Sequence, residues 1–145
     1  MRNWDASLAL LDIAIFISAV KAYYNAINGK SRQRAIQKIL NLWDWHEHYK
    51  DRNTGRRVLS ELPKLRYANE LRSARMLAQM DYDVVFAPAA MFKRESKKFD
   101  IYLLRDTIML EADLKFLSSE SPLTIANRIR DGAEQAPRVV LDSTL

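Results

Sequence analysis

The chain has no cysteine, three glycines, four prolines and two histidines in 145 residues. Each scarcity excludes something. Without cysteine there is no disulfide and no thiolate-held zinc. Three glycines cannot build a glycine-rich phosphate cradle. The two histidines, His46 and His48, precede the second half of the chain, so a histidine-dependent nuclease site built within that half is excluded. They sit in WDWHEHY, which reads as an aromatic-rich helix with a polar flank. Two apart on a helix, they do not face the same way, whereas a zinc pair wants a separation near one turn.

A long uninterrupted apolar run is also missing. LALLDIAIFISAVKAYY, Leu8 to Tyr24, is broken by Asp12 and closed by Lys21. It is near the lower length limit for a membrane span. A charge at that depth is expensive in lipid, so the run reads as a buried core helix, with membrane contact of this N-terminal helix as the other option. No basic leader with a small-residue cleavage site is evident.

What is present is enough apolar residue, 48%, for a real core in one compact domain with a helical extension. Basic residues outnumber acidic ones 23 to 18, a net charge of +5. That excess is compatible with a nucleic-acid partner without establishing one. Arg56, Arg57, Arg72, Arg75, Lys93, Arg94, Lys97 and Lys98 spread positive charge before and around the second half. They read equally well as a backbone-tracking surface and as solubilising charge.

The chain changes character near its middle. Asn3 to Ile27 reads as a helix stopped at Asn28-Gly29. Ser31 is a candidate cap for a second helix, with Ala35, Ile36, Ile39, Leu40 and Trp43 at helical spacing. Asn53-Thr54-Gly55 breaks the chain, and Pro63 opens a third helix marked by Leu71, Ala74, Leu77 and Ala78. Strand patterns then follow at 83–87, 97–104 and 107–116, the last two joined at Arg105-Asp106. Ser121-Pro122 starts another helix, Pro137 stops it, and RVVL at 138–141 closes as a strand. The class is α+β, with a helical N-terminal unit at 1–62 and a core at 63–145 ordered helix, three strands, helix, strand.

The chemistry concentrates in FDIYLLRDTIMLEADLKF, residues 99–116. Side chains alternate along a strand, so Glu111, Asp113 and Lys115 share one face. Asp100 lies one strand earlier. In a hairpin the acids converge, and two carboxylates stay ionised together only with a cation between them. Mg²⁺ suits such oxygen ligands and keeps waters for substrate phosphates. A lysine alongside can position a water and stabilise phosphate charge. Cross-strand pairing of Lys115 with an acid on a solvated face would also account for the pattern.

The element order together with Asp100 in FDI and Asp113-Leu114-Lys115 in ADLK resembles the PD-(D/E)XK nuclease superfamily, whose restriction-endonuclease-like core runs αβββαβ. The resemblance covers residues 65–142. LKFLSSES, TIANRIRDGAEQA and RVVLD are similar to the C-terminal nuclease toxins of contact-dependent growth inhibition and other polymorphic toxin systems. The chain departs from the strict pattern at Phe99, where the family has proline, and Glu111-Ala112-Asp113 offers two acids. The resemblance implies that Asp100 and Asp113 hold a divalent metal, Mg²⁺ foremost and Mn²⁺ or Zn²⁺ otherwise, and that Lys115 serves the water. Glu70, one turn before Ala74, would complete the metal site, unless it is an ordinary solvated helix glutamate. Glu111 would either substitute for Asp113 or be a second acid near the metal. Ser118 and Ser119 of the serine-rich turn, with Arg128 and Gln135 two turns apart on the later helix, would meet substrate, although helix-surface polarity explains the last two as well.

On that resemblance the expected activity is phosphodiester hydrolysis in tRNA or DNA. The setting would be a toxin acting in the bacterial cytoplasm, delivered within a larger effector and held in check by a cognate immunity protein. Two other readings stand beside it: a metal-independent barnase-like RNase, and a non-catalytic module that binds nucleic acid or protein, such as an inactive nuclease fold or an immunity protein.

Overall fold

The computed structural model describes residues 6–41, 45–65, 68–88, 100–117, 121–135 and 138–143, with side chains at all of these except 6–12, 116–117, 122, 128, 132–135 and 142–143. The elements, in chain order, are helix α1 (Ala6–Asn25), helix α2 (Gly29–Asn41), strands β1 (His46–Lys50) and β2 (Arg57–Ser60), helix α3 (Ala68–Gln79), strands β3 (Asp83–Phe86), β4 (Ile101–Arg105) and β5 (Ile108–Leu117), helix α4 (Pro122–Gln135) and strand β6 (Val139–Ser143). The protein is α+β. Among the described residues one mixed sheet runs β1-β2-β3-β4-β5-β6, with β2–β3 and β5–β6 parallel and the other pairs antiparallel. The order α3-β3-β4-β5-α4-β6 is the one expected from the sequence of residues 63–145.

Each face of the sheet carries its own core, as period-two alternation requires. Leu59, Val85, Tyr102, Leu104 and Met109 cluster with Phe16, Ala19, Val20 and Tyr23 of α1 and Ala35, Ile36, Ile39 and Leu40 of α2. The α1 residues recur at i, i+3, i+4 and i+7, one helical stripe. The apolar run near the N-terminus therefore lies against the sheet where its side chains are described, and no helix among the described residues is long and apolar enough to cross a membrane. Val58, Val84, Ile101, Leu103, Ala112 and Leu114 form the other core with Ala74, Leu77 and Ala78 of α3. The position between residues 62 and 63 falls inside this sheet, since β2 and β3 on either side of it are paired.

The helical reading of WDWHEHY is corrected: His46–Lys50 is a strand, hairpinned with β2. The apolar positions Trp45 and Tyr49 are four apart, which imitates a helical period. A β-bulge between Glu47 and Tyr49 shifts the register, so the two rings fall on opposite faces and join different cores. Asp51 then fastens the hairpin turn by accepting the N–H groups of Asn53 (3.0 Å) and Thr54 (2.8 Å) and the Tyr49 hydroxyl (2.9 Å). The cap of α2 is Asn28 rather than Ser31: Asn28 Oδ1 accepts the Ser31 N–H at 2.9 Å, the bond an N-cap makes to the third helical residue.

Phe16 ties the N-terminal helices to the sheet. It is fully buried, with its ring 5.6 Å from both Trp45 and Tyr102. Phe16→Ala is expected to lower unfolding free energy by about 3–5 kcal/mol in urea titration. A loss under about 1 kcal/mol would show that α1 adds little to the folded core.

Candidate functional site: a carboxyl pair and a lysine

Strand β5 changes partner midway. Residues 108–112 pair with β4, and residues 113–117 pair in parallel with β6. The change falls at Asp113. Continuing the register of Ile101↔Ala112 by one step sets Asp100 opposite Asp113, on the same face as Glu111 and Lys115. The backbone ties Asp100 in place, for its N–H donates to the Ala112 carbonyl at 3.1 Å and its carbonyl accepts from Ala87 at 3.0 Å. Its side chain extends the ladder where β4 pairing stops, with Oδ2 accepting the Leu114 N–H at 2.7 Å.

The Asp113 carboxyl is close enough to act on that of Asp100 through hydrogen bonding and charge. Asp113 is completely buried, and Lys115 Nζ lies 3.1 Å from its Oδ2. Asp100 as a residue is open to solvent, while its bonded carboxyl end is half-buried. Burial first, then the hydrogen bond and charge of Asp113, push the Asp100 carboxyl up to about 7, while the Leu114 N–H and Lys115 pull it the other way. One proton between two acids is the expected state when like charges sit this close without a cation.

The other expected residues divide. Glu111 shares the face but accepts the Tyr24 hydroxyl at 2.8 Å; burial first, then this bond, push the Tyr24 phenol up. Glu70 lies in the first turn of α3, one turn before Ala74, which packs on the opposite face of the sheet. Among the described residues no third acid or histidine joins Asp100 and Asp113 in a metal-sized group. The structure therefore brings Asp100, Asp113 and Lys115 together, sets Glu111 beside them, and does not bring Glu70. Ser118 and Ser119 lie outside the described residues, as do the side chains of Arg128 and Gln135.

Three of the basic residues singled out in the sequence, Arg56, Arg57 and Arg75, are engaged away from the carboxyl pair. Arg56 pairs with Asp81 at 2.8 Å and Asp83 at 2.9 Å. Arg57 donates to the Leu40 carbonyl at the end of α2, and Arg75 lies over the Tyr49 ring. Lys93, Arg94, Lys97 and Lys98 are outside the described residues. The sequence reading passed over Tyr24 and the cations of α2. The signal for α2 was present: GKSRQRAIQKILN holds four cations and no acid.

Two carboxyl groups meeting at one point beside a lysine fit the donor set a Mg²⁺ site needs, because this ion is often held by one or two carboxylates with the rest of its shell left to water and phosphate oxygens. Without a cation the same geometry is a protonated pair.

A pH signature follows. An acid whose pKa is raised on folding binds its proton more tightly in the native state, so stability falls as pH rises from about 4 to about 7 and the loss is complete above that. The urea midpoint is expected to drop across this window, and Asp100→Asn is expected to flatten the drop. An unchanged slope in the variant would place the titration elsewhere.

Comparison of the chain with protein-family models, curated proteins and solved structures gives no match.

Proposed function

We propose that the chain is a metal-dependent nuclease that hydrolyses phosphodiester bonds in tRNA or DNA, built on a restriction-endonuclease-like core. The observation that carries the reading is the meeting of Asp100 and Asp113 on one sheet face with Lys115 3.1 Å from Asp113. A fold needing only a ladder cap and an ion pair gains nothing from a second adjacent carboxyl, whose charge must be neutralised. Such locally unfavourable arrangements concentrate at functional sites.

In this reading Asp100 and Asp113 hold the divalent ion, with Mg²⁺ favoured by the all-oxygen pair and Mn²⁺ taking the same ligands. A bound ion supplies Lewis acidity toward a phosphate oxygen and a lowered pKa for water. The residues do the rest. The Leu114 N–H fixes one oxygen of Asp100, so the carboxyl cannot rotate away from Asp113. Buried Asp113 holds the Lys115 ammonium at the site, where it can orient a water and offset charge on the phosphate. The toxin setting, with delivery into a bacterial cytoplasm and a cognate immunity protein, extends the same proposal through the resemblance of the C-terminal segments.

The Leu114 bond and the Lys115 ion pair also favour a second reading, in which the cluster only stabilises a non-catalytic binding module.

Cleavage of total tRNA and of plasmid DNA, with Mg²⁺ and with EDTA, separates these. Cleavage is expected to require the metal and to fall at least about 100-fold in Lys115→Ala and Asp100→Ala, each verified as folded by circular dichroism. Cleavage surviving EDTA would indicate a metal-independent RNase, and none by folded protein would favour the binding module.

A further inference from the structure

The outer surface of α2 and the exposed ring of Tyr24 lie on the same side of the sheet as the carboxyl pair. In α2, Ala35, Ile36, Ile39 and Leu40 face the core, while Lys30, Arg34 and Lys38 stand exposed at i, i+4 and i+8, over about 12 Å of helix. Arg32 is exposed as well and lies over the Tyr23 ring. Gln33, Gln37 and Asn41 form a parallel exposed row. A solvated helix face ordinarily mixes both signs, since i, i+4 pairs of opposite charge support the helix. This one has cations and amides only, so its charge is unbalanced along the whole helix.

The placement of α2 links that charge to the site. Its first residue, Gly29, faces the Thr107 side chain at the β4–β5 turn, where a Cβ added to it would lie 3.4 Å from Cγ2. From that turn the hairpin runs five residues to Asp100 and Asp113, about 17 Å at the usual rise. Tyr24 stands between. It is 51% exposed, its hydroxyl is bonded to Glu111, and Glu111 is two residues from Asp113 on the same face. The Tyr23 ring braces it edge-on at 5.3 Å between centroids. A fixed, half-exposed aromatic ring between a row of cations and a phosphate-handling site is the arrangement that single strands use: cations follow the backbone and a base stacks on the ring. Duplex bases are already stacked on one another and have no face to offer it.

Resting on the nuclease reading, we propose that α2 and Tyr24 form the docking surface for a single-stranded stretch of the nucleic-acid substrate, with Lys30, Arg34 and Lys38 along its phosphates and one base stacked on Tyr24. The strand then leads toward Asp100, Asp113 and Lys115.

The test is equilibrium binding of a fluorescein-labelled 20-nucleotide single strand to the full chain. Anisotropy is read in EDTA across a salt series, so that binding is measured without cleavage. The triple variant Lys30→Gln, Arg34→Gln, Lys38→Gln leaves the buried side of α2 untouched. It is expected to weaken binding at least tenfold at low salt and to reduce the slope of log K against log salt by about 2. Tyr24→Leu is expected to weaken binding at least about fivefold, and Tyr24→Phe, which keeps the ring and loses the bond to Glu111, is expected to restore it. An unchanged salt slope in the triple variant would overturn the proposal. So would tighter binding of a duplex that ignores Tyr24→Leu, or equal binding to phosphatidylserine vesicles. Binding as expected with no cleavage under any metal would sink the nuclease reading and leave the docking surface. Metal-dependent cleavage with binding indifferent to these variants would do the reverse.

Discussion

Strand β5 holds two partners by turns, β4 along residues 108–112 and β6 along residues 113–117, and the rest of the structure is arranged around that exchange. Where one ladder stops, a backbone N–H is released from its neighbour, and a buried N–H without an acceptor is costly. The Asp100 carboxylate takes the Leu114 N–H at this point. An acid is thereby drawn onto the sheet at the place where the register already puts a second acid, Asp113, opposite it. The hairpin β4–β5 brings Asp100, and the β5–α4–β6 crossover supplies the far edge; Arg138, just before β6, accepts the Asp113 N–H at its carbonyl. The site is thus a consequence of how the sheet is continued, and it sits on regular structure rather than on a loop.

The energetics of the cluster point in two directions. The Leu114 bond and the Lys115 ion pair stabilise their parts, and charged partners make such bonds stronger than neutral ones. The second carboxyl works against them, because burial and like charge push the Asp100 proton affinity upward. A divalent cation would remove that conflict by replacing the shared proton. The two helices over the same face contribute in a different way. They bury one side of the sheet through Phe16, Tyr23, Ile36 and Ile39, and leave their cations outward. The N-terminal segment is therefore part of the core that carries the site.

Much of this was legible in the sequence, for physical reasons that differ by element. Strands β3, β4 and β5 and helices α3 and α4 were marked by strong periodicity, with Pro88 after β3 and Pro122 and Pro137 bounding α4, so the α3-β3-β4-β5-α4-β6 order could be read directly. Asp113 and Lys115 were legible because alternation fixes a shared face whatever the fold. Asp100 required the hairpin register, which the short Arg105-Asp106 turn supplied. The hairpin β1–β2 was not legible: a bulge put Trp45 and Tyr49 at a spacing that imitates a helix, and the four residues of β2 are too few for a pattern. Glu70 illustrates the limit of helix arithmetic. It lies one turn before Ala74, as helical spacing requires, but Ala74 packs on the face of the sheet opposite the carboxyl pair.

The most direct test of the account is carboxyl-carbon NMR of Asp100 through a pH titration, with and without Mg²⁺. The account predicts that Asp100 titrates near pH 7 without metal, and that Mg²⁺ displaces its proton and moves the titration well below that pH. Identical Asp100 titration curves with and without the ion, or Asp100 titrating in the ordinary carboxylate range without it, would contradict it.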